Sequence, residues 1–164
     1  MATRDYAIRV RRKEHEYDLL DGLIGGMIGG VLIGLLTMML FWLVGLGFWM
    51  PLKLIATLLM GPEAVASRGF EMMPVLVGMV IHMVLSMTFG AVMVWLGRYL
   101  PGQVMVRAIA LSLLLWVIAD FMVLPVIAPT FDRGMPEWIF AVAHVMYAIG
   151  LAACLMTRGR RAAA

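Results

Sequence analysis

Four long apolar runs, separated by short polar stretches, dominate the chain: Gly22–Trp49, Pro74–Leu96, Val104–Ile127 and Trp138–Met156. A helix that crosses a bilayer takes about 20 mostly apolar residues, so this pattern predicts four membrane-spanning helices. Helices follow because hydrocarbon offers no partner to an open backbone. The one early charge of the third run, Arg107, can snorkel to the interface. A fifth segment, PLKLIATLL, is apolar apart from Lys53 and too short to span. Pro51 at its start and Gly61-Pro62 behind it mark a short interfacial or re-entrant helix in the first loop. The predicted fold is an all-α membrane protein: a charged arm at 1–18, a four-helix domain at 19–157 and a basic tail at 158–164.

Composition agrees with that pattern. Hydrophobic residues make up 63% of the 164 and charged residues 14%, with a mean hydropathy of +0.97. Soluble domains carry about 25% charged residues. The net charge of +3 does not point to nucleic acid, because the charges gather at the ends of the apolar runs. The first segment is too acidic, and the run behind it too long, for a cleaved signal peptide, so a retained first helix is expected. Cys154 stands alone, which excludes a disulfide or zinc framework and leaves a small packing residue.

Lys and Arg set the expected orientation. Arg4, Arg9, Arg11, Arg12 and Lys13 precede the first run, Arg98 and Arg107 lie on the side of the middle loop, and Arg158, Arg160 and Arg161 follow the fourth. The opposite side carries Lys53, Arg68 and Arg133. The positive-inside rule then places both termini in the cytoplasm. Trp49, Trp95 and Trp138 fall where interface belts are expected. Glu63, Glu71, Glu137 and Lys53 read as a solvated rim, and His15 as an exposed residue of a sign-alternating arm with weak attraction to anionic lipid.

Two sub-patterns lie within the runs. PVLVGMVIH (74–82) and PEWIFAVAH (136–144) share a Pro-x7-His spacing, and an arginine follows each histidine sixteen residues later, at Arg98 and Arg160. This reads as a duplication, two hairpins related by an axis along the membrane normal. In the first run, Gly22, Gly26, Gly30 and Gly34 recur every four residues beside a second pair, Gly25 and Gly29. Small residues at that spacing let helix backbones approach closely, within the bundle or against another chain.

The candidate chemistry is confined to a few intramembrane groups, where an ionisable side chain is costly and marks a functional hypothesis. Eight residues at 1.5 Å put His82 and His144 roughly 12 Å inward of their prolines, and Asp120 is expected at a similar depth. Three readings follow. In one, Asp120, the histidines, Ser86 and Tyr147 form a hydrogen-bonded core that fixes helix packing. In another, His82 and His144 bind a b-type haem, or a metal together with Asp120. In the third, His82, Asp120, His144 and Tyr147 line a proton or solute path. Met79, Met83 and Met87 form a stripe at helical spacing that reads as packing, although methionine is also a soft copper ligand.

The segment PLKLIATLLMGPEAV, the glycine-rich first helix and the two Pro-x7-His helices together resemble a group of small bacterial four-helix membrane proteins. That resemblance, over most of the chain beyond residue 18, implies the fold and a bacterial inner membrane, and carries no activity or site residues with it. No nucleotide loop, nucleophile elbow or zinc motif is present in the sequence. The expected role is a non-catalytic accessory or scaffold subunit that packs with a membrane partner or with itself in the bilayer. No cofactor is required by that role, and a haem or metal subunit or a small channel or carrier are the alternatives.

Overall fold

The structure is a computed structural model that describes residues 17–162, with side chains through Arg158. The arm before Tyr17, with His15, lies outside the described residues. The order is α1 (Leu19–Leu43), α2 (Met50–Met60), a 3-10 turn (Pro62–Val65), α3 (Met72–Gly97), α4 (Val104–Ile127), a short α5 (Pro129–Gly134) and α6 (Glu137–Ala162). Among the described residues there is no strand. Four helices, α1, α3, α4 and α6, are long and apolar enough to cross a membrane, and α2 is the shorter apolar helix.

Each helix boundary has a local cause. Asp18 starts α1: its Oδ1 accepts from the Asp21 amide at 2.8 Å, and Asp21 Oδ2 accepts from the Asp18 amide at 3.1 Å. These reciprocal bonds satisfy two of the first turn's open donors. The helix ends at Leu43, six residues short of the apolar run. Gly45 takes φ +76°, its amide bonds to the Trp42 carbonyl, and the Leu46 amide bonds to the Phe41 carbonyl. This glycine-dependent C-terminal motif reverses the chain while the sequence stays apolar, which is why hydropathy alone overruns it. Helix α2 has Pro51 in its first turn and Gly61, at φ +75°, closing it.

Helix α1 is the centre of the bundle. It packs along α3 and α6, while α4 leans chiefly on α6 and touches α3 little. The two glycine rows divide these contacts. A methyl group built on Gly22 would come within 2.7 Å of Ala91 Cα, and the Gly26 and Gly30 positions face Ser86, all on α3. Gly25 and Gly29 face Leu151 and Tyr147 on α6, and Gly150 of α6 returns the contact to Gly29. One helix thus meets two neighbours, each against its own row of small residues.

Helix α2 caps the end of the bundle opposite the start of α1 and the close of α6. Leu54 enters a core with Phe41, Phe131 and Ile139, and Leu52 packs with Met38 and Val75. The Leu52 backbone lies directly on Gly78 of α3. The opposite end is tied by an ion pair between Asp21 of α1 and Arg158 of α6.

A twofold repeat along the membrane normal would make the α1–α6 and α3–α4 interfaces equivalent. They differ. α1 and α6 meet at backbone distance through Gly29 and Gly150, whereas a cleft separates α3 from α4 over part of their length. The duplication therefore stands as a pattern of the sequence, without a matching symmetry in the packing.

Candidate functional site

Polar groups inside the bundle form three hydrogen-bonded clusters, and Asp120 lies apart from them. The first lies where α1, α3 and α6 meet. His82 Nε2 donates to the Gly30 carbonyl at 2.8 Å, and the Tyr147 hydroxyl donates to the Ser86 carbonyl at 2.6 Å. A carbonyl only accepts, so the proton on His82 is on Nε2. The absence of side chains on α1 admits both contacts: His82 lies against Gly34, and the Tyr147 ring lies against Gly29.

The second place is the α4–α6 contact. Ser112 Oγ, fully buried, donates to the His144 carbonyl at 2.7 Å. The His144 ring turns back on its own helix, where Nδ1 donates to the Phe140 carbonyl at 2.8 Å. The same ring stands edge-on to Phe140 at 4.5 Å between centroids. Because Tyr147 packs on Gly29 and α6 runs antiparallel to α1, His144 comes level with about residue 32 of α1. His82, set against Gly30 and Gly34, reaches the same level from another neighbour. The two histidines therefore share a depth, yet each is committed to a separate carbonyl.

Asp120 does not join them. It shares a surface pocket with Pro136, Glu137 and Trp138 at the start of α6. Ser112 is the residue of α4 that stands beside His144, and Asp120 lies eight residues further on, about 12 Å at 1.5 Å per residue. The expectation of a common depth for Asp120 and the histidines is overturned by this register. Among the described residues, no group of three or more His, Cys, Asp or Glu side chains is placed to hold a metal ion. The nitrogens left for a ligand, Nδ1 of His82 and Nε2 of His144, face no such set.

The Asp120 pocket has its own construction. Residues Ala119–Val123 form one π-helical turn, with the Leu124 amide bonded to the Ala119 carbonyl. Pro125 explains the widening: it has no amide to give the Phe121 carbonyl, and its ring would collide with that carbonyl in a regular helix. Asp120 sits in the widened turn, 7% exposed, with Oδ2 lacking a hydrogen-bond partner. Asp132, Arg133 and Glu137 line the same pocket, which is rimmed by Phe121 and Trp138.

The third place corrects the expected rim. Lys53 is fully buried. Its Nζ donates to the Ser67 carbonyl at 2.8 Å and Ser67 Oγ at 3.1 Å, and pairs with Glu71 at 3.0 Å. Ser67 Oγ in turn donates to Glu71 at 2.7 Å. The Ser67 hydroxyl, then Lys53, hold the Glu71 carboxyl below its usual pKa of 4.5. Glu63 and Glu137 are exposed, as a rim requires. A lone cation inside an apolar eleven-residue helix is the sequence signal for the Lys53 clasp, and a single hydroxyl in an apolar run is the signal for Ser112.

All three buried side-chain polar atoms without a partner among the described residues, Arg107 Nε, Trp116 Nε1 and Asp120 Oδ2, belong to α4. Of the four long helices α4 is also the least enclosed, with 11% of its apolar window buried against 56% for α6.

No protein-family model, curated protein or solved structure matches the chain.

Proposed function

We propose that this protein is a non-catalytic accessory or scaffold subunit of a bacterial inner membrane, with both termini in the cytoplasm, and that α4 carries its docking face. The observation that supports this reading most is that α4 is the least enclosed of the four long helices, with 11% of its apolar window buried. A transmembrane partner packed on α4 covers the apolar side chains left open there, Leu114, Val117 and Phe121 among them. Elsewhere in the bundle the intramembrane polar side chains are spent on carbonyls: His82, Ser112 and Tyr147 each bond one. Such bonds fix which faces meet and leave little for chemistry on a substrate.

The orientation draws on the loop charges. With Lys53 turned inward onto Glu71, the end capped by α2 keeps Arg68 and Arg133 as its exposed cations, while Arg98 and Arg158 stand at the other. This widens the bias that the positive-inside rule reads.

Extraction into a mild detergent followed by native mass measurement tests the proposal. A particle heavier than one 18.1 kDa chain, containing a membrane partner or further copies, is expected. A strictly single-chain particle in every mild detergent contradicts it.

One observation favours a second reading, a small carrier or channel: Asp120, buried in its helix, lines a surface pocket. Under that reading, Asp120→Asn abolishes proton or cation flux in liposomes. Equal flux from wild type and variant removes it.

A further inference from the structure

Where α3 and α4 part, near the end where α1 begins and α6 closes, they form a cleft of about 100 Å³. Its walls are apolar, with Met93 on α3, Leu111 on α4 and Leu155 on α6. Its mouth is polar and cationic: Tyr17, Arg98 and Arg107. Arg98 Nη2 donates to the Tyr17 carbonyl at 3.2 Å, and Arg107 Nη1 donates to the Gly97 carbonyl at 2.6 Å. These bonds hold the two guanidinium groups at the mouth. Each guanidinium carries five N–H donors, so donors remain on both. Among the described residues neither arginine has a carboxylate partner, and Asp21 of the same end is paired with Arg158.

We propose that this cleft binds one anionic phospholipid, with its phosphate headgroup at Arg98, Arg107 and Tyr17 and an acyl chain along Met93, Leu111 and Leu155. The occupant follows from three features together. Two arginines without a carboxylate partner among the described residues call for an anion, and Arg with its fork of donors suits a phosphate. The apolar walls behind them call for a hydrocarbon chain, which a free phosphate lacks. The position, at one end of two long apolar helices, is where a headgroup and its chain lie in a leaflet. Basic pockets between spanning helices take acidic headgroups in this way. The loose α3–α4 contact then becomes a filled interface in the membrane.

The test uses the full chain, purified in a non-ionic detergent and titrated with phosphatidylglycerol or phosphatidylcholine while native mass spectrometry counts bound lipid. Wild type is expected to retain phosphatidylglycerol in preference to phosphatidylcholine. Each arginine near the headgroup contributes about fivefold in affinity, so Arg98→Gln is expected to lower phosphatidylglycerol binding by about that factor. Arg107→Gln adds a second loss where it folds; Arg98 is exposed, so its variant decides the matter if Arg107→Gln does not. Arg133→Gln, at the other end of the bundle, leaves binding unchanged. Equal retention of the two lipids, or undiminished phosphatidylglycerol binding by folded Arg98→Gln, overturns the proposal. Displacement of the lipid by millimolar inorganic phosphate also overturns it, because it marks a site for the free anion.

Discussion

The Tyr147 hydroxyl of α6 reaches the Ser86 carbonyl of α3 at 2.6 Å, over the glycine face of α1. It joins two helices that otherwise touch little, and it does so only because Gly29 leaves room for the ring. Tyr147→Phe keeps the ring and removes the bond. Interhelical bonds of this kind contribute about 0.6 kcal/mol on average and up to about 1.7. Reversible unfolding in mixed micelles is expected to show a loss in that range, with helicity unchanged. An unchanged unfolding free energy would mean the bond has no net worth.

The glycine rows are not equivalent position by position. At Gly22 a methyl group meets backbone of α3 at 2.7 Å, where nothing flexible can yield. At Gly34 the nearest atom is His82 Nε2 at 3.3 Å, the end of a side chain, and at Gly97 nothing lies within 4 Å. Gly22→Ala is therefore expected to destabilise by about 1–3 kcal/mol through forced separation of α1 and α3. Gly97→Ala is expected to be neutral or slightly stabilising, since alanine favours helix, with Gly34→Ala in between. The same unfolding assay ranks the three, and a Gly22→Ala protein as stable as wild type would contradict the packing described for α1.

The clasp of Lys53 on the 67–71 segment gives a pH dependence. Glu71 has a depressed pKa in the folded protein, held down by Ser67 and then Lys53. A carboxylate of that kind contributes stability above its unfolded pKa, and the contribution is lost as pH falls through the lower folded value. Loosening of the segment is thus expected below about pH 4.5, read as faster amide exchange at 67–71. Glu71→Gln is expected to flatten that acid limb. Lys53→Met removes a charged donor from the Ser67 carbonyl, a hydrogen bond of about 1.5–3 kcal/mol, and is expected to expose the loop to protease at neutral pH.

The histidine geometry has a spectroscopic consequence. His82 and His144 stand at one depth but donate to Gly30 and Phe140 respectively. The purified protein is expected to be colourless, with no Soret band. A Soret band lost in both His82→Ala and His144→Ala would show that the two rings leave those carbonyls to hold a haem.

The sequence made the four spans legible through hydropathy alone, and α2 through its flanking Pro51 and Gly61. It placed the histidines at one level, because both are counted from a proline at the same end. What it hid depended on the third dimension or on the backbone. Gly45 ends α1 by adopting positive φ inside an apolar run, which no hydropathy count registers. Asp120 was misplaced because its depth was counted along α4 as a uniform helix, whereas its neighbours are set by the antiparallel register in which Ser112 meets His144. Lys53 looked like a rim residue because its partners, Ser67 and Glu71, lie fourteen and more positions away. The glycine spacing was plain in the sequence, but which row served which neighbour needed both neighbours in place.

The docking role of α4 is the central claim, and site-specific photo-cross-linking in native membranes tests it most directly. Val117 lies on α4 less than one turn from Asp120 and is 43% exposed; Leu35 on α1 is 58% exposed and serves as the comparison. A photoreactive side chain at 117 is expected to give a discrete protein adduct, to a partner or to a second copy, whereas one at 35 gives lipid adducts alone. Lipid adducts alone at both positions would contradict the account.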